Sequence, residues 1–527
     1  MNREISKASL RGGGIGCSLS DVPHTGSMMP MKVAKQIASI AEQFRQNSRR
    51  AGAAAVYIDI WHPSVMELID AVSTRASPDA SLGKVYLGIM VQDLFMKRYQ
   101  EPDGTWTLMC PSECPDLAGL YGKAFEKRYL EYEAAGVGHS RVTAKALMDK
   151  IALCILESGN PHIIFKDRCN LLSNQRNVGV IRSSNLCTEI MEVAVHGAPA
   201  SCNLASVSLP ATVEGGVFRR EKLERAVRML VRSLNKIIDR SQGGPESAVA
   251  CNLKMRPLGI GVQGFGDMIG MCGYAFESDE TRKLNKEIFE IMYYTALRES
   301  CELAKESGKT YGAYEGSPLS AGQLHPDLAG AKLNKELCDW SALRLDIALH
   351  GVMNSLFIAL MPTVSTSVVL GNSESFELHK NFVYRHEGSG IRYNFAAVRA
   401  LREAGLLTED LVGRIVENGG SLAGVDGVPD AIQKRFPGAF KISQKFVIDL
   451  CADRAPFVDQ SMSMNLAFAA TREDTVQTAL VYAWERGLKT GLYYLRRLPS
   501  KTISKKSSLS ESPACSRALS HCDSCSS

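Results

Sequence analysis

Short, continuously apolar runs alternate along this chain with segments of helical periodicity, and no other feature limits the possible folds as much. Ala53 to Trp61, Ala-Ala-Ala-Val-Tyr-Ile-Asp-Ile-Trp, is the pattern of a strand buried on both faces. It follows Pro30 to Gln46, where Met31, Val33, Ala34, Ile37, Ile40 and Ala41 share one helical face. Helical patterns recur at Val65 to Ser73, Leu117 to Ala135, Thr143 to Glu157, Glu221 to Ser241, Glu280 to Ser307, Ser341 to His350, Phe446 to Asp453 and Thr475 to Arg486. Buried strands are expected at Ile163-Ile164-Phe165, at Leu356 to Met361 and at Gly487 to Arg496. Leu258 to Gly266 reads as a glycine-punctuated strand or turn. Strands alternating with helices predict an α/β fold with parallel strands, and there is no internal repeat. Lys166 to Asn177 reads as a polar segment. Residues 1–498 are expected to form the folded unit, and 499–527, rich in Ser, Lys and small residues, a flexible tail.

Ser183 to Pro210 carries the densest chemistry. Asn185, Cys187 and Glu189 are spaced i, i+2, i+4, so an extended backbone aims an amide, a thiol and a carboxylate at one face, where a helix would turn the thiol away. Cys202 follows the turn-like His-Gly-Ala-Pro-Ala-Ser stretch, and a fold-back there returns a second thiol towards the first. An ordinary buried cysteine in a strand explains either thiol alone about as well.

A chain of 527 residues is long enough for a large core, and 45% apolar with 22% charged residues is the balance of a soluble globular protein. The net charge of +5 is too small to argue for nucleic acid or membrane as the main partner. Met1 to Lys7 resembles neither a signal peptide nor a membrane span. Fifteen cysteines in so long a chain do not make a disulfide framework, so a reducing cytoplasm, that of the host if the chain is viral, is expected.

Weaker signals surround this stretch. Gly12, Gly13, Gly14 and Gly16 permit close approach to a ligand or a sharp turn. Arg49 and Arg50 suit a phosphate or a helix end equally. Thr363-Val364-Ser365-Thr366, between a strand and a helix, either caps that helix through Ser365 or Thr366 or cradles a phosphate on backbone N–H groups. Cys110 and Cys114 form a C-x₃-C without a second ligand pair, which reads as a structural loop. Tyr493 and Tyr494 adjoin in a strand. Cys522 and Cys525 form a C-x-x-C near the end, either an exchangeable dithiol or, with His521 and Cys515, a zinc site.

Taken in order, Ser-Asn-Leu-Cys-Thr-Glu-Ile at 184–190, Cys-Asn-Leu-Ala-Ser at 202–206, Gly-Ile-Gly-Val-Gln-Gly at 259–264, Met-Pro-Thr at 361–363, Gly-Leu-Lys-Thr-Gly-Leu-Tyr-Tyr at 487–494 and the terminal C-x-x-C resemble the large, catalytic subunit of class I ribonucleotide reductase. The resemblance covers nearly the whole chain. It implies a closed α/β barrel of about ten strands, with the reactive cysteine on a finger loop in the lumen. It also implies that Cys187 becomes a transient thiyl radical and abstracts the 3′-hydrogen of a ribonucleoside diphosphate. Glu189 would act as general base, Asn185 would hold the sugar hydroxyls, and Cys202 would supply reducing equivalents with a partner thiol. Gly13 and Gly14 would pass close to the substrate, and Thr363, Val364, Ser365 and Thr366 would cradle its diphosphate. Tyr493 and Tyr494 would relay the radical, which requires irregular backbone, since successive strand residues face opposite ways. Cys522 and Cys525 would be the swinging dithiol reduced by thioredoxin or glutaredoxin. No cofactor is implied in this chain itself: the radical would come from a separate metal-containing small subunit, with ATP and deoxynucleotides as effectors and a homodimer as the assembly.

The departures define a second reading. The family's N-terminal helical region and first barrel strand, with the cysteine that pairs with Cys202, have no counterpart here, and Cys17 is the nearest substitute thiol. The segment between Gly26 and Arg50 is shorter than the usual nucleotide-specificity loop, which argues against strong effector control. A catalytically silent relative kept as an interaction protein is the alternative to a working reductase.

Overall fold

The computed structural model describes residues 2–10, 12–43, 52–76, 81–83, 85–195, 197–241, 244–386, 390–469 and 472–498. Arg49 and Arg50, and the tail with Cys515, His521, Cys522 and Cys525, lie outside them.

The run expected to be a doubly buried strand is one. Every residue of Ala54–Asp59 is buried, which requires covered neighbours on both edges and both faces. It is the second strand of a five-stranded sheet, ordered Ile15–Ser18, Ala54–Asp59, Val85–Val91, His162–Phe165 and Thr490–Leu492. The first four strands are mutually parallel and the last is antiparallel to His162–Phe165. Helices supply the crossovers. Pro30–Gln43 buries Val33, Ala34, Ile37 and Ala41, and Ala144–Ser158 starts at Thr143, whose side chain accepts from Ala146 N, and stops at left-handed Gly159.

The segment after the fourth strand is not the polar connection its composition suggests. Lys166–Leu171 is a helix with Lys166, Asp167 and Asn170 buried. Lys166 Nζ lies 2.9 and 3.0 Å from the two carboxylate oxygens of Asp59 and 2.9 Å from Ala118 O. This satisfied buried pair joins the end of Ala54–Asp59 to the helix after His162–Phe165, past the strand that lies between them. Long polar side chains enter the core when every hydrogen-bonding atom finds a partner there, which composition cannot register.

A second series of short parallel pairings runs through Leu204–Ser208 with Gly259–Gln263, Ile260 with Ile358, Leu360 with Met462, and Leu466–Phe468 with Leu495–Arg497. Leu356 to Met361 is buried as expected but pairs only at isolated bridges instead of forming a continuous strand. Its neighbour explains why Gly261 is glycine: a Cβ there would meet Met361 Sδ at 2.6 Å and Ala359 O at 2.9 Å. The helices Arg220–Arg240 and Asp279–Ser307 carry many buried residues of this half. A separate apolar cluster, including Val383, Leu401, Ile415 and Phe436, forms the core of a small lobe.

Candidate active site

Residues 186–188 form a bend, not the extended backbone expected, and Thr188 has φ of 70°. Strand alternation is therefore not what gathers the three functional groups. They are gathered by hydrogen bonds from distant segments. Ser184 Oγ donates to Ile190 O at 2.7 Å across the base of the loop, and Ile190 N donates to Asn185 Oδ1 at 3.4 Å. Ser461 N donates to Glu189 O at 2.8 Å, Thr490 Oγ1 to Thr188 O at 3.1 Å, and Met191 N to Gln460 Oε1 at 2.9 Å. Ser463 Oγ reaches both Cys187 O, at 2.6 Å, and Glu189 Oε2, at 3.1 Å. A left-handed β-branched residue is strained, and this density of bonds around it is what sustains the conformation.

Cys187 and Glu189 are almost fully buried. Burial pushes the Glu189 carboxyl above its ordinary range, opposed by hydrogen bonds from its own backbone, Asn185 and Ser463. A carboxyl so raised holds its proton to higher pH than a free one, the direction that suits proton exchange with a substrate hydroxyl. The Cys187 sulfur is disulfide-bonded in the structure, while Cys17 and Cys202 are among the free thiols. Radical or nucleophilic chemistry at Cys187 requires its reduced form.

The stretch after the loop does fold back: Val195 and Ala198 exchange backbone hydrogen bonds at 3.2 and 2.9 Å. Cys202 keeps an open surface. Even so, burial, then the carboxylates Glu192 and Glu189, push its thiol well up. An open face amid deep surroundings is how a residue lining a concavity behaves. Glu192, absent from the sequence expectations, is buried, has an unpartnered Oε1 and is pushed up to about 8 by burial. Cys17 lies in the edge strand, its thiol pushed up to about 12 by burial.

Two of the glycines meet the loop. A Cβ on Gly14 would touch Leu186 at 3.6 Å, and one on Gly16 would lie 1.8 Å from Ser184 O, so only glycine fits there. Gly13 instead faces Ala8 of the preceding helix. Thr363, with φ of 54°, immediately precedes the helix Val364–Leu370. Its hydroxyl accepts from Ser375 N at 2.7 Å and contacts Ser367 Oγ at 2.9 Å, and Thr366 Oγ1 donates to Thr363 O at 3.2 Å. Thr363 is the residue at the helix start and makes no side-chain cap, while Ser365 and Thr366, the expected caps, lie inside the first turn. The first-turn N–H groups at Val364, Ser365 and Thr366 have no intrahelical acceptors, as at any helix start.

Tyr493 and Tyr494 occupy the break between Thr490–Leu492 and Leu495–Arg497, so the irregular backbone needed for contact between successive rings is present. Their centroids are 4.2 Å apart. Tyr493 belongs to the same apolar cluster as Leu186 and Cys187, with Tyr494 packed against it. The reactive loop and the tyrosine pair, about 300 residues apart in sequence, thus share one core.

Comparison with known families decides the identity. The family model described as ribonucleotide reductase, barrel domain, matches residues 1–494. The chain belongs to this ribonucleotide reductase family. It is 39% identical to the ribonucleoside-diphosphate reductase large subunit of Caenorhabditis elegans, covering 94% of this chain and 65% of that protein. It is 39% identical to the large chain of Neurospora crassa, covering 93% and 54%, and 37% identical to the large subunit of Acanthamoeba polyphaga mimivirus, covering 95% and 59%. The chain therefore spans roughly half to two thirds of the length of these ribonucleotide reductase relatives.

Several residues packed around this loop were not legible in the sequence. His162 opens a strand as one more member of a buried run, and Ser463 sits between two methionines with no motif around it. Lys489, inside the Gly-Leu-Lys-Thr motif, is buried with Nζ 2.8 Å from His325 Nε2 and 2.6 and 2.7 Å from Asp459 O and Gln460 O. Burial lowers it to about 8. The motif was the available signal for Lys489, but not for the contacts. Cys110 and Cys114 are buried in a turn, and among the described residues no His, Cys, Asp or Glu side chains group as a metal site. No described helix is long and apolar enough to cross a membrane.

Proposed function

We propose that this chain is a catalytic large subunit of ribonucleoside-diphosphate reductase, replacing the ribose 2′-hydroxyl by hydrogen. The observation that carries the reading is the joint burial of Cys187, Glu189 and Tyr493 around one bonded loop, with Tyr494 packed against Tyr493. Removing an unactivated C–H hydrogen requires a radical. A sulfur radical at Cys187 is matched to the task because S–H and C–H bonds have comparable strength. Cys187 takes the 3′-hydrogen, Glu189 takes the 3′-hydroxyl proton, and Asn185 orients the sugar. Water leaves from the 2′ position. Two electrons then return from thiols, with Cys202 as one donor and Cys17 the candidate for the other. The turn Thr363 to Thr366 receives the diphosphate, Gly13 and Gly14 flank the substrate, and Cys522 and Cys525 carry reducing equivalents from thioredoxin or glutaredoxin.

The two series of strand pairings are read as halves of a ten-stranded barrel around this loop, supported by the parallel registers within each. Partners under this reading are a metal-containing small subunit as radical source, a second copy of the chain, and ATP or deoxynucleotide effectors. Eleven described cysteines are free thiols, which fits a reducing cytoplasm.

The test is conversion of CDP to dCDP by the purified chain with its small subunit and dithiothreitol. Product that disappears in Cys187→Ser supports the reading. No product from a folded chain that binds both CDP and the small subunit overturns it in favour of a silent relative.

A further inference from the structure

The tyrosine pair is not alone. His162, fully buried, lies against both rings, its centroid 5.0 Å from Tyr493 and 5.2 Å from Tyr494, and Tyr86 closes the cluster at 6.0 Å from both His162 and Tyr494. The tautomer follows from the hydrogen bonds. His162 Nδ1 is 2.6 Å from Tyr493 O, and a carbonyl only accepts, so Nδ1 carries the proton. Nε2 is then a lone-pair acceptor, and it is buried without a partner. An orphaned acceptor in a dry aromatic cluster costs stability unless something uses it.

We infer that His162 Nε2 is the proton acceptor for the tyrosine relay, taking the phenol proton of Tyr494 when that residue is oxidised. The inference rests on the relay reading of Tyr493 and Tyr494 and goes a step beyond it. Tyr493 is the more deeply buried of the two and shares the core with Cys187, so Tyr494 is the ring at which the electron leaves. An electron can tunnel to the radical of another polypeptide, but a proton cannot travel so far, and phenol oxidised without losing its proton is a very strong acid. The small-subunit radical, a one-electron oxidant, gains the electron. The Tyr494 O–H bond breaks, an N–H bond forms at His162 Nε2, and a neutral phenoxyl radical faces an imidazolium. Tyr494 then takes a hydrogen atom from Tyr493, and Tyr493 takes one from the Cys187 thiol. On return, each step reverses and Nε2 gives the proton back. Burial keeps the imidazole neutral at rest, lowering it to about 4, so the lone pair is available before oxidation. Even a base that weak outcompetes an oxidised phenol for its proton. The two ring centroids are 5.2 Å apart, so transfer requires the Tyr494 hydroxyl to be brought onto Nε2.

Two variants separate proton transfer from packing. His162→Asn retains a donor for Tyr493 O, and His162→Phe retains a ring among the tyrosines. Both lack the basic nitrogen. Each is assayed in the complete complex with the small subunit, CDP and dithiothreitol, after a melting curve establishes folding. The expected result is about a 100-fold loss of turnover in both, at the lower end of what a positioned proton acceptor contributes. KM for CDP and affinity for the small subunit should stay as in the parent, and the solvent deuterium isotope effect on radical transfer should change. Wild-type turnover and isotope effect in either variant overturns the inference, since the structural role that variant preserves would then suffice. Tyr493→Phe and Tyr494→Phe are run beside them. If either still turns over, the relay reading itself falls. If both are inactive while a His162 variant is fully active, only the role of His162 falls.

Discussion

The loop bearing Cys187 and the small lobe around Leu401 stabilise themselves in opposite ways. The lobe has an ordinary apolar core, with Val383, Leu401, Ile415 and Phe436 packed between short helices and a hairpin. The loop buries an acid, a sulfur atom and a left-handed threonine beside a half-buried amide, held by hydroxyls and amides from residues 461–463 and 490. Removing apolar volume should therefore unfold the first and leave chemistry intact, while removing single polar atoms from the second should silence chemistry and leave the fold intact. A lobe tolerates sequence drift as long as volume is kept. A pinned loop does not.

The largest effect that can break this contrast is at the sulfur. Cys187→Ser is expected to reduce CDP turnover by at least about 10³-fold, with an unchanged thermal midpoint by calorimetry. A matching loss of stability would show that the loop depends on its cysteine as a packing group. In the lobe, Leu401→Ala should destabilise by about 2–5 kcal/mol in urea unfolding, with turnover per folded molecule preserved. A selective loss of activity there would show that the lobe takes part in the reaction.

The pH dependence sharpens the contrast further. His162 is lowered to about 4 by burial, against an ordinary 6.5, so the unfolded chain binds the extra proton first as pH falls. Its contribution to stability is complete above pH 6.5 and is lost as pH falls towards 4, a change of about 3 kcal/mol. His162→Phe should lack this component in unfolding midpoints measured across that window. The smallest effect concerns Ser463. Its Oγ stabilises the charged form of Glu189, whose carboxyl burial has raised. Activity should rise with pH as Glu189 ionises. Ser463→Ala should move that rising limb to higher pH and lower turnover about tenfold, the value of one hydrogen bond to a charged group. An unmoved limb would assign the limb to another residue.

The outcome of the spacing argument shows where sequence reasoning holds. Asn185, Cys187 and Glu189 do lie together on one loop, but the bend at Thr188 and bonds from Ser461, Ser463 and Thr490 gather them, not strand alternation. Lys166 read as part of a polar segment because a lysine's burial depends on Asp59, 107 positions away. His162 carried no local signal, since what singles it out is a bare nitrogen among rings from other strands.

Periodicity, apolar runs and caps are properties of neighbouring residues, so the chain alone determined its alternating helices and strands, the buried strand at Ala54–Asp59, and the order of motifs that marks the family. Which groups share a cavity, which carboxyl is raised and which nitrogen is left without a partner depend on segments brought together from hundreds of residues apart. Those contacts and their desolvation exist only once the chain has closed on itself, and so only the tertiary structure decided them.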